Sequence, residues 1–484
     1  MEDYVYKLVD IIWGNALVYL ALGVGLYFTI ATRFVQLRYL PEMLRLLREN
    51  DSSKEGISSF QAFCIALSGR VGVGNIAGVA TAIAFGGPGA VFWMVVMAFL
   101  GGASAFIEST LAQLYKQKAD GQYRGGSPFY IEKGLKLKAF AVFVAFVIAL
   151  SYGILVPGIQ SNTIASSFNT AFNIDPMITG IIVVVLLGVI IFGCVKRIAN
   201  VADKIVPIMA IAYVILTIII LGANFSEIPG MISLIISSAF GYNEVFGGII
   251  GTAIAWGVRR AVFSNVAGAG EATFSSAAAE VSHPAKQGLV QGFSIYIDTI
   301  IVCTATALMI LITGMYNVIP SGYETALVEN VPGLVAGTEY TQAAVSTVFS
   351  GFGSGFVAIA IFLFAFTTLM AYYYIAETAI VYLDNKLRYP YLKHVLKIVF
   401  LIVVFIGSVQ SVSLMWAFGD IGFGSMCYLN FIAIVLLSKP AFKVLKDYDR
   451  QKKAGVNPVF DPREVGIENA DFWIEYSDKY KHKQ

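Results

Sequence analysis

An apolar segment near residue 74 is interrupted by glycines and one polar side chain. It runs from Arg70 to Gly78 with the sequence RVGVGNIAG. Each glycine costs a helix about 1 kcal/mol relative to alanine, so the helix is expected to unwind here. Freed N–H groups at the start of a half-helix suit a carboxylate, and freed carbonyls at the end of one suit Na⁺ or an ammonium group. The stretch therefore predicts a site for a small ionic ligand.

The same pattern returns between residues 260 and 270, with the sequence RAVFSNVAGAG. When the first arginines of the two stretches are aligned, Asn75 falls on Asn265 and Gly78 on Gly268. One stretch alone would also fit a small-residue motif for helix packing, but the second copy favours unwinding. Two interrupted apolar segments at corresponding positions of two halves of a chain indicate the binding site of a secondary transporter.

Polar side chains in the two stretches are candidate ligand groups. Asn75 offers a neutral oxygen to a hard cation. Ser264 and Asn265 could hydrogen-bond a ligand beside Gly268, and Phe263 could form a wall of the site. Ordinary core packing explains Phe263 equally well.

Two other apolar segments carry polar groups at bilayer depth. Gln160 and Asn162 lie in one of them, and the pair Thr367 and Thr368 lies in the other. Threonine hydroxyls in the middle of a helix usually bond to the preceding turn, so the pair alone does not indicate a ligand.

Charged residues inside apolar segments are costly unless they have a role. Arg70, Arg259 and Arg260 could pair with Glu108, Glu271 or another acid to close a cytoplasmic gate. Snorkelling at a helix end is the alternative for the adjacent arginines. Glu108 is expected to accept hydrogen bonds from unwound backbone in the second stretch. Three more intramembrane acids have no partner that the sequence reveals: Asp298, Glu377 and Asp420.

Composition places the chain in a membrane. It has 484 residues, of which 57% are hydrophobic and 13% charged, whereas a soluble domain carries roughly 25% charge. Its four scattered cysteines (Cys64, Cys194, Cys303, Cys427) show no metal or disulfide spacing and are expected to be small buried hydrophobes. The three histidines (His283, His394, His482) do not suit one buried site, and no phosphate-binding loop occurs. Neither an enzyme nor an ATP-driven pump is indicated.

Recurrent apolar runs predict an all-α polytopic protein with eleven transmembrane helices. The two interrupted stretches fall in the second and seventh spans. If each opens a repeat of five spans, the odd number inverts one repeat relative to the other, and the first span is an extra helix. The expected spans lie near 10–31, 59–84, 88–115, 139–168, 177–194, 203–223, 245–280, 287–314, 353–384, 390–408 and 411–438.

This pattern predicts four regions and one orientation. The regions are 1–58 (extracellular N-terminus, extra helix and first cytoplasmic loop), 59–240 and 241–438 (the inverted repeats), and 439–484 (a solvated cytoplasmic tail). Alternate loops are rich in Lys and Arg, while the opposite set carries Lys7 alone. By the positive-inside rule, the N-terminus is outside the cell and the C-terminus is cytoplasmic.

Specific motifs resemble the alanine or glycine:cation symporter family over roughly residues 10–440. They are GNIAGVA from Gly74, GGPGA from Gly86, and RR with FSN and AG between Arg259 and Gly268. The resemblance implies Na⁺-coupled, or H⁺-coupled, uptake of small neutral amino acids such as alanine or glycine through the plasma membrane. It also implies a leucine-transporter-like fold and a monomer in the lipid bilayer, with sodium as the co-transported ion, no organic cofactor and no nucleic acid.

The resemblance also implies roles for single residues. Asn75 is similar to an asparagine that coordinates sodium beside the substrate, and the N–H groups of Val73 and Gly74 to those that hold the substrate carboxylate. Thr367 and Thr368 are similar to the hydroxyl pair of a second sodium site. The other ligands of that site would be carbonyls near Ser68 and Val71, and Glu108 would brace the second broken helix.

Two positions depart from the family pattern. Many members have an acid where this chain has Val266, and this chain has an acid at Glu271 instead. Glutamine is the alternative substrate. A cation channel is the alternative from another class, since residues 71–74 faintly resemble a potassium-channel filter, but a filter needs a ring of equivalent loops. A substrate sensor is a further alternative.

Overall fold

The computed structural model describes residues 2–49, 52–53, 55–119, 121–192, 195–387 and 391–481, which are mostly helical. Helices α1–α8 are Glu2–Ile12, Asn15–Ala31, Val35–Arg38, Leu40–Leu46, Ser59–Arg70, Val79–Gly86, Gly89–Leu114 and Ser127–Leu135. Helices α9–α16 are Lys138–Leu150, Pro157–Phe172, Pro176–Ile191, Val195–Ala223, Ile228–Ala239, Ile250–Asn265, Ala272–Ala278 and Pro284–Ile295. Helices α17–α24 are Thr304–Thr313, Thr338–Val348, Gly353–Leu387, Leu392–Val409, Val412–Leu436, Ser438–Lys453, Pro462–Val465 and Asp471–Lys481.

Short elements join these helices. Three π-helical turns are Gly74–Gly78, Ser151–Leu155 and Tyr296–Cys303, and two 3₁₀ turns are Phe225–Glu227 and Gly247–Ile249. The strands form two antiparallel pairs, β1 (Gln117–Ala119) with β2 (Gln122–Arg124) and β3 (Asn317–Val318) with β4 (Val328–Glu329).

Eight helical stretches of the described chain are long and apolar enough to cross a membrane, and the bent pair α5 and Gly74–Gly86 makes a ninth. The other two expected spans are present as shorter pieces. Helix α11 has only 16 residues, and residues 245–280 are divided between α14 and α15. Residues 193–194 and 390, at the ends of two expected spans, lie outside the described residues. The chain is a multi-pass helical protein, and its count of eleven spans stays a prediction.

Helix α7 lies at the centre of the bundle, in contact with α2, α14, α15 and α16. The bundle's outer faces are apolar and exposed, as on α11 (Ile181, Val185, Val189) and α12 (Ile208, Ile211, Ile215). Such faces are stable against lipid tails rather than water. Cys64, Cys303 and Cys427 are buried and unbridged, whereas Cys194 and His482 lie outside the described residues.

Local sequence explains where the second span begins and bends. Ser58 and Gln61 form a reciprocal cap at the start of α5, which satisfies two backbone donors. The helix ends at Arg70, and the axis bends by 52° before Gly74. The bend coincides with the glycines that the sequence singled out.

Residues 440–481 are partly buried against the bundle, which differs from the expectation of a solvated tail. Trp473 is fully buried, and its Nε1 donates to Gln113 O at 2.8 Å. Phe460 N donates to Ser282 O at 2.9 Å. The tail's few aromatic residues supply enough apolar surface to dock it against the loops beside α7 and α16.

Candidate ligand site between the two broken helices

The first break leaves several carbonyls without their helical donors, and those of Ser68 and Val71 are two of them. In a continuous helix the N–H groups of Gly72 and Asn75 would bond to the carbonyls of Ser68 and Val71. Instead, Gly72 N donates to Asn75 Oδ1 at 2.8 Å, and Asn75 N donates to Gly72 O at 3.2 Å. The Asn75 side chain thus holds the break open from within the same segment.

The two freed carbonyls converge on one hydroxyl. Thr368 Oγ1, on α19, lies 2.8 Å from Ser68 O, 3.4 Å from Val71 O and 2.9 Å from Phe364 O. A hydroxyl has a single proton to donate, so the cluster contains more acceptors than donors. A methyl group at Gly72 would come within 2.6 Å of Thr368 Oγ1. An oxygen-rich cluster of this kind suits a hard cation.

The neighbouring Thr367 points elsewhere. Its hydroxyl donates to Phe364 O at 2.9 Å and contacts Met209 Sδ on α12 at 4.0 Å. Among the described residues, no hydrogen bond joins Thr367 to Ser68 or Val71. The structure therefore gathers one hydroxyl of the expected pair around the freed carbonyls.

Backbone donors of the first break meet a side chain of α10. Val73 N donates to Gln160 Oε1 at 3.2 Å, and Gln160 Nε2 donates to Tyr372 OH at 3.3 Å. A carboxylate that binds Val73 N must displace this amide oxygen. A methyl group at Gly74 would approach Ser264 Cα within 3.0 Å, so the glycine brings the two breaks into contact.

Asp298 joins the two broken helices. It is fully buried in the π-helical turn between α16 and α17. Its carboxylate accepts from Asn75 Nδ2 at 2.6 Å, from Ser264 Oγ at 3.1 Å and from Thr299 Oγ1 at 2.7 Å. The sequence indicated Asp298 only as an acid within an apolar segment, since its partners are distant in the chain.

An aromatic wall stands on the other side of Ser264. Phe263 packs against Trp416, with ring centroids 5.1 Å apart, and against Phe423 at 4.8 Å. Arg260 lies over Trp416 at 4.7 Å and pairs with Asp420 at 3.4 Å. The ion pair joins α14, just before the second break, to α21.

The second break is irregular over residues 266–271. Val266, Gly268 and Gly270 have φ of 46°, 84° and 89°, a left-handed conformation that is rare for a β-branched residue. Asn265 Oδ1 accepts from Ala267 N at 3.0 Å, and Asn265 Nδ2 donates to Thr299 Oγ1 at 3.2 Å. Asn265 therefore supports the backbone of its own break.

Other helices satisfy the rest of the second break. Glu108 Oε2, on α7, accepts from Gly270 N at 3.0 Å and from Asn430 Nδ2 at 3.0 Å. Asn430 Nδ2 also donates to Gly268 O at 2.8 Å. The sequence did not single out Asn430, because a lone polar residue in an apolar run has no pattern.

Arg70 connects the breaks through neutral oxygens. Its Nε donates to Asn265 O at 2.8 Å, and its Nη1 donates to Gln291 O at 3.4 Å and to Ser294 Oγ. Within the described chain, it forms no ion pair with Glu108 or Glu271. Glu271, just after the second break, accepts instead from Tyr152 OH at 2.9 Å.

Two unwound helices that meet around buried polar groups in a polytopic protein define the class of secondary transporters. Comparison with known sequences agrees. A model of the "Sodium:alanine symporter family" matches residues 1–462. The chain therefore belongs to the sodium:alanine symporter family, which confirms the resemblance seen in the sequence and identifies a sodium-coupled symporter rather than an enzyme.

Several relatives match along nearly their full length. A putative sodium/proton-dependent alanine carrier protein, YrbD of Bacillus subtilis (strain 168), is 56% identical over all of this chain and 99% of its own. The sodium/proton-dependent alanine carrier protein of Bacillus sp. (strain PS3) is 50% identical over 91% of this chain and 99% of its own. A probable sodium/glutamine symporter, GlnT of Bacillus subtilis (strain 168), is 44% identical over 93% and 91%.

Proposed function

We propose that this chain carries alanine into the cell together with sodium, driven by the sodium gradient. Family membership and the names of the alanine carriers above support the substrate. The observation that carries the proposal is the cluster of Ser68 O, Val71 O and Thr368 Oγ1, in which oxygens outnumber donors. A monovalent cation that these neutral oxygens coordinate takes the place of the missing donors.

Sodium binds in two places next to the first break. One ion takes the freed carbonyls of Ser68 and Val71 with Thr368 Oγ1, and the family resemblance adds Thr367 to this set. A second ion lies beside Asn75, whose Oδ1 keeps a lone pair after accepting from Gly72 N. The Asp298 carboxylate, bonded to Asn75 Nδ2, favours a cation there.

Alanine binds where the two breaks touch. Its carboxylate takes the N–H groups of Val73 and Gly74, and the Gln160 amide turns to bond the ligand. Ser264 offers a hydroxyl, and Phe263 closes the side-chain end against Trp416 and Phe423. A wall of three rings favours a small side chain. Asn265 and Gly268 shape the second break.

Coupling follows from the shared segment. Sodium at the carbonyls of Ser68 and Val71 and the carboxylate at Val73 N order the same unwound residues. Each ligand therefore raises the affinity for the other, typically by 1–3 kcal/mol. Alternating access then moves both across the membrane, with Arg70, Glu108, Arg260 and Glu271 holding the broken helices in place.

The finer architecture belongs to the same proposal. Eleven spans, made of one extra helix and two inverted repeats of five, account for the paired breaks. The distribution of Lys and Arg supports an N-terminus outside the cell and a cytoplasmic C-terminus. The carrier works in the plasma membrane as a monomer.

Uptake into proteoliposomes tests the proposed function. Labelled alanine is expected to accumulate when an inward sodium gradient is imposed, and to stop accumulating when the gradient is collapsed. Uptake that is indifferent to sodium contradicts the coupling. Conductance without substrate saturation would indicate a channel, and a complete lack of flux would indicate a sensor.

Glutamine is the second candidate substrate, because the chain is 44% identical to the probable sodium/glutamine symporter. The alanine carriers are more similar, at 56% and 50%. Unlabelled alanine is therefore expected to compete with labelled alanine at lower concentration than glutamine does. Unlabelled glycine should be tested as a competitor in the same assay.

A further inference from the structure

Glu271 is a buried carboxylate with one satisfied oxygen. Its side chain is 3% exposed, directly after the second break. Oε2 accepts from Tyr152 OH at 2.9 Å. Oε1 has no hydrogen-bond partner within the described chain. An unpaired carboxylate oxygen at this depth is costly unless a cation or a proton accompanies it.

The free oxygen is aimed at the first break. It lies so close to Gly69 that a methyl group on that residue would overlap it, and Ala371 Cβ flanks the same spot. Gly69 directly precedes Arg70 and directly follows Ser68, whose carbonyl belongs to the Thr368 cluster. Glu271 thus places a negative charge beside the proposed sodium ligands, on the opposite broken helix.

The other buried acids are better supplied with donors. Asp298 receives hydrogen bonds on both oxygens. Glu108 receives a backbone and an amide donor on Oε2, although its Oε1, like that of Glu271, has no hydrogen-bond partner within the described chain. The buried guanidinium of Arg70 donates to neutral oxygens and pairs with none of the three carboxylates in the described chain. Three carboxylates therefore share one buried positive charge.

We propose that Glu271 binds a co-transported monovalent cation, sodium or a proton, that is additional to the sodium ions proposed at Thr368 and at Asn75. The proposal rests on the symport function above. The cation neutralises Glu271 Oε1 against Gly69, while Tyr152 orients the other oxygen. Because the carboxylate and Ser68 lie on different broken helices, this cation also ties the two helices together until release.

The charge moved with each alanine tests the proposal. In proteoliposomes with fixed sodium, proton and alanine gradients, the membrane potential that stops net alanine flux gives the number of charges per zwitterion. Glu271→Gln is expected to move one charge fewer than the unmodified chain. Glu271→Asp and Tyr152→Phe keep a carboxylate and are expected to keep the count, with weaker cation affinity. An unchanged count in Glu271→Gln contradicts the proposal.

Two further arms complete the test. In the first arm the proton gradient is changed at a fixed sodium gradient, and the membrane potential that stops alanine flux changes only if the Glu271 cation is a proton. In the second arm the sodium gradient is changed at fixed pH. If the Glu271 cation is sodium, the change in this potential is smaller in Glu271→Gln than in the unmodified chain. If Glu271→Gln is stable in detergent but transports nothing, ²²Na⁺ and proton binding at equilibrium are counted instead. One cation fewer supports the proposal, and an equal number contradicts it. Failure of the proposed symport is distinct, since alanine uptake by the unmodified chain would then ignore both gradients.

Discussion

The two broken helices differ in how the polar backbone groups at their breaks are held. The first break covers residues 71–73, adopts no left-handed backbone, and is held by its own Asn75. The second covers residues 266–271 and uses three left-handed residues. It is held by its own Asn265 and also by Glu108 and Asn430 from other helices. We expect a break that is held mainly within its own segment to rearrange when a ligand binds. A break that other helices hold is expected to stay fixed.

The carbonyls of the two breaks show this difference most clearly. In the second break, Asn265 O accepts from Arg70, Val266 O from Ala269 N at 3.0 Å, and Gly268 O from Asn430. In the first break, Ser68 O and Val71 O share the single proton of Thr368. The proposed sodium ion at Thr368 therefore lies at the first break, and we propose that the backbone of the second break shapes the site rather than coordinating that ion.

The largest expected effect, on thermal stability, comes from removing Asn430, which donates to the backbone of the second break. Asn430→Ala leaves Gly268 O without a donor and takes one donor from Glu108. Each unsatisfied buried group costs on the order of 1–3 kcal/mol, so the thermal midpoint in detergent should fall by several degrees, with or without sodium. The exposed Asn330→Ala serves as the control and should leave the midpoint unchanged. Equal midpoints in both variants would contradict a fixed second break.

The next largest effect separates the two threonines of α19. Thr368→Ala removes the hydroxyl that meets Ser68 O and Val71 O, and is expected to raise the half-saturating sodium concentration for alanine uptake about tenfold, equivalent to about 1.4 kcal/mol. Thr367→Ala, whose hydroxyl faces Met209, should change it less than threefold. Equal effects of the two variants would indicate that Thr367 binds the sodium ion as directly as Thr368 does.

Sodium should stabilise the variants Asn430→Ala and Thr368→Ala by different amounts. A ligand at about 100 times its dissociation constant stabilises the folded state by roughly 2.7 kcal/mol. The rise in thermal midpoint on adding sodium should therefore persist in Asn430→Ala and shrink strongly in Thr368→Ala. A sodium response that is lost in Asn430→Ala and kept in Thr368→Ala would reverse the assignment of the two breaks.

A smaller effect, on alanine affinity, is expected from a change next to the proposed site of the substrate carboxylate. Tyr372→Phe removes the hydrogen bond to Gln160 Nε2, which is worth about 0.5–1.5 kcal/mol. Because this bond holds the amide that the carboxylate must displace from Val73 N, alanine affinity should rise a few-fold, while half-saturation by sodium changes little. Uptake kinetics at saturating sodium measure this. A large shift in sodium dependence instead would place Tyr372 in the cation site.

The sequence allowed us to predict the features that depend on the length of apolar runs and on residues that weaken helices. Glycines within residues 70–78 and 260–270 marked both breaks, because glycine weakens a helix wherever it lies. The partners of Asp298 could not be predicted, since Asn75 and Ser264 reach it only once three helices pack together. The number of spans was equally hard to read, because α11 is short and residues 245–280 are split. Docking of the tail depends on a few aromatic residues, such as Phe460 and Trp473, that lie scattered along a polar stretch.

Amide hydrogen exchange in the two breaks tests the central claim most directly. Protection of residues 71–75 and 266–271 is measured in detergent or nanodiscs without ligand, with sodium, and with sodium plus alanine, since local opening sets the exchange rate. The account predicts that sodium slows exchange at residues 71–75, that alanine slows it further, and that residues 266–270, which precede Glu271, change little. Protection that rises in the second break while the first stays unchanged would contradict it.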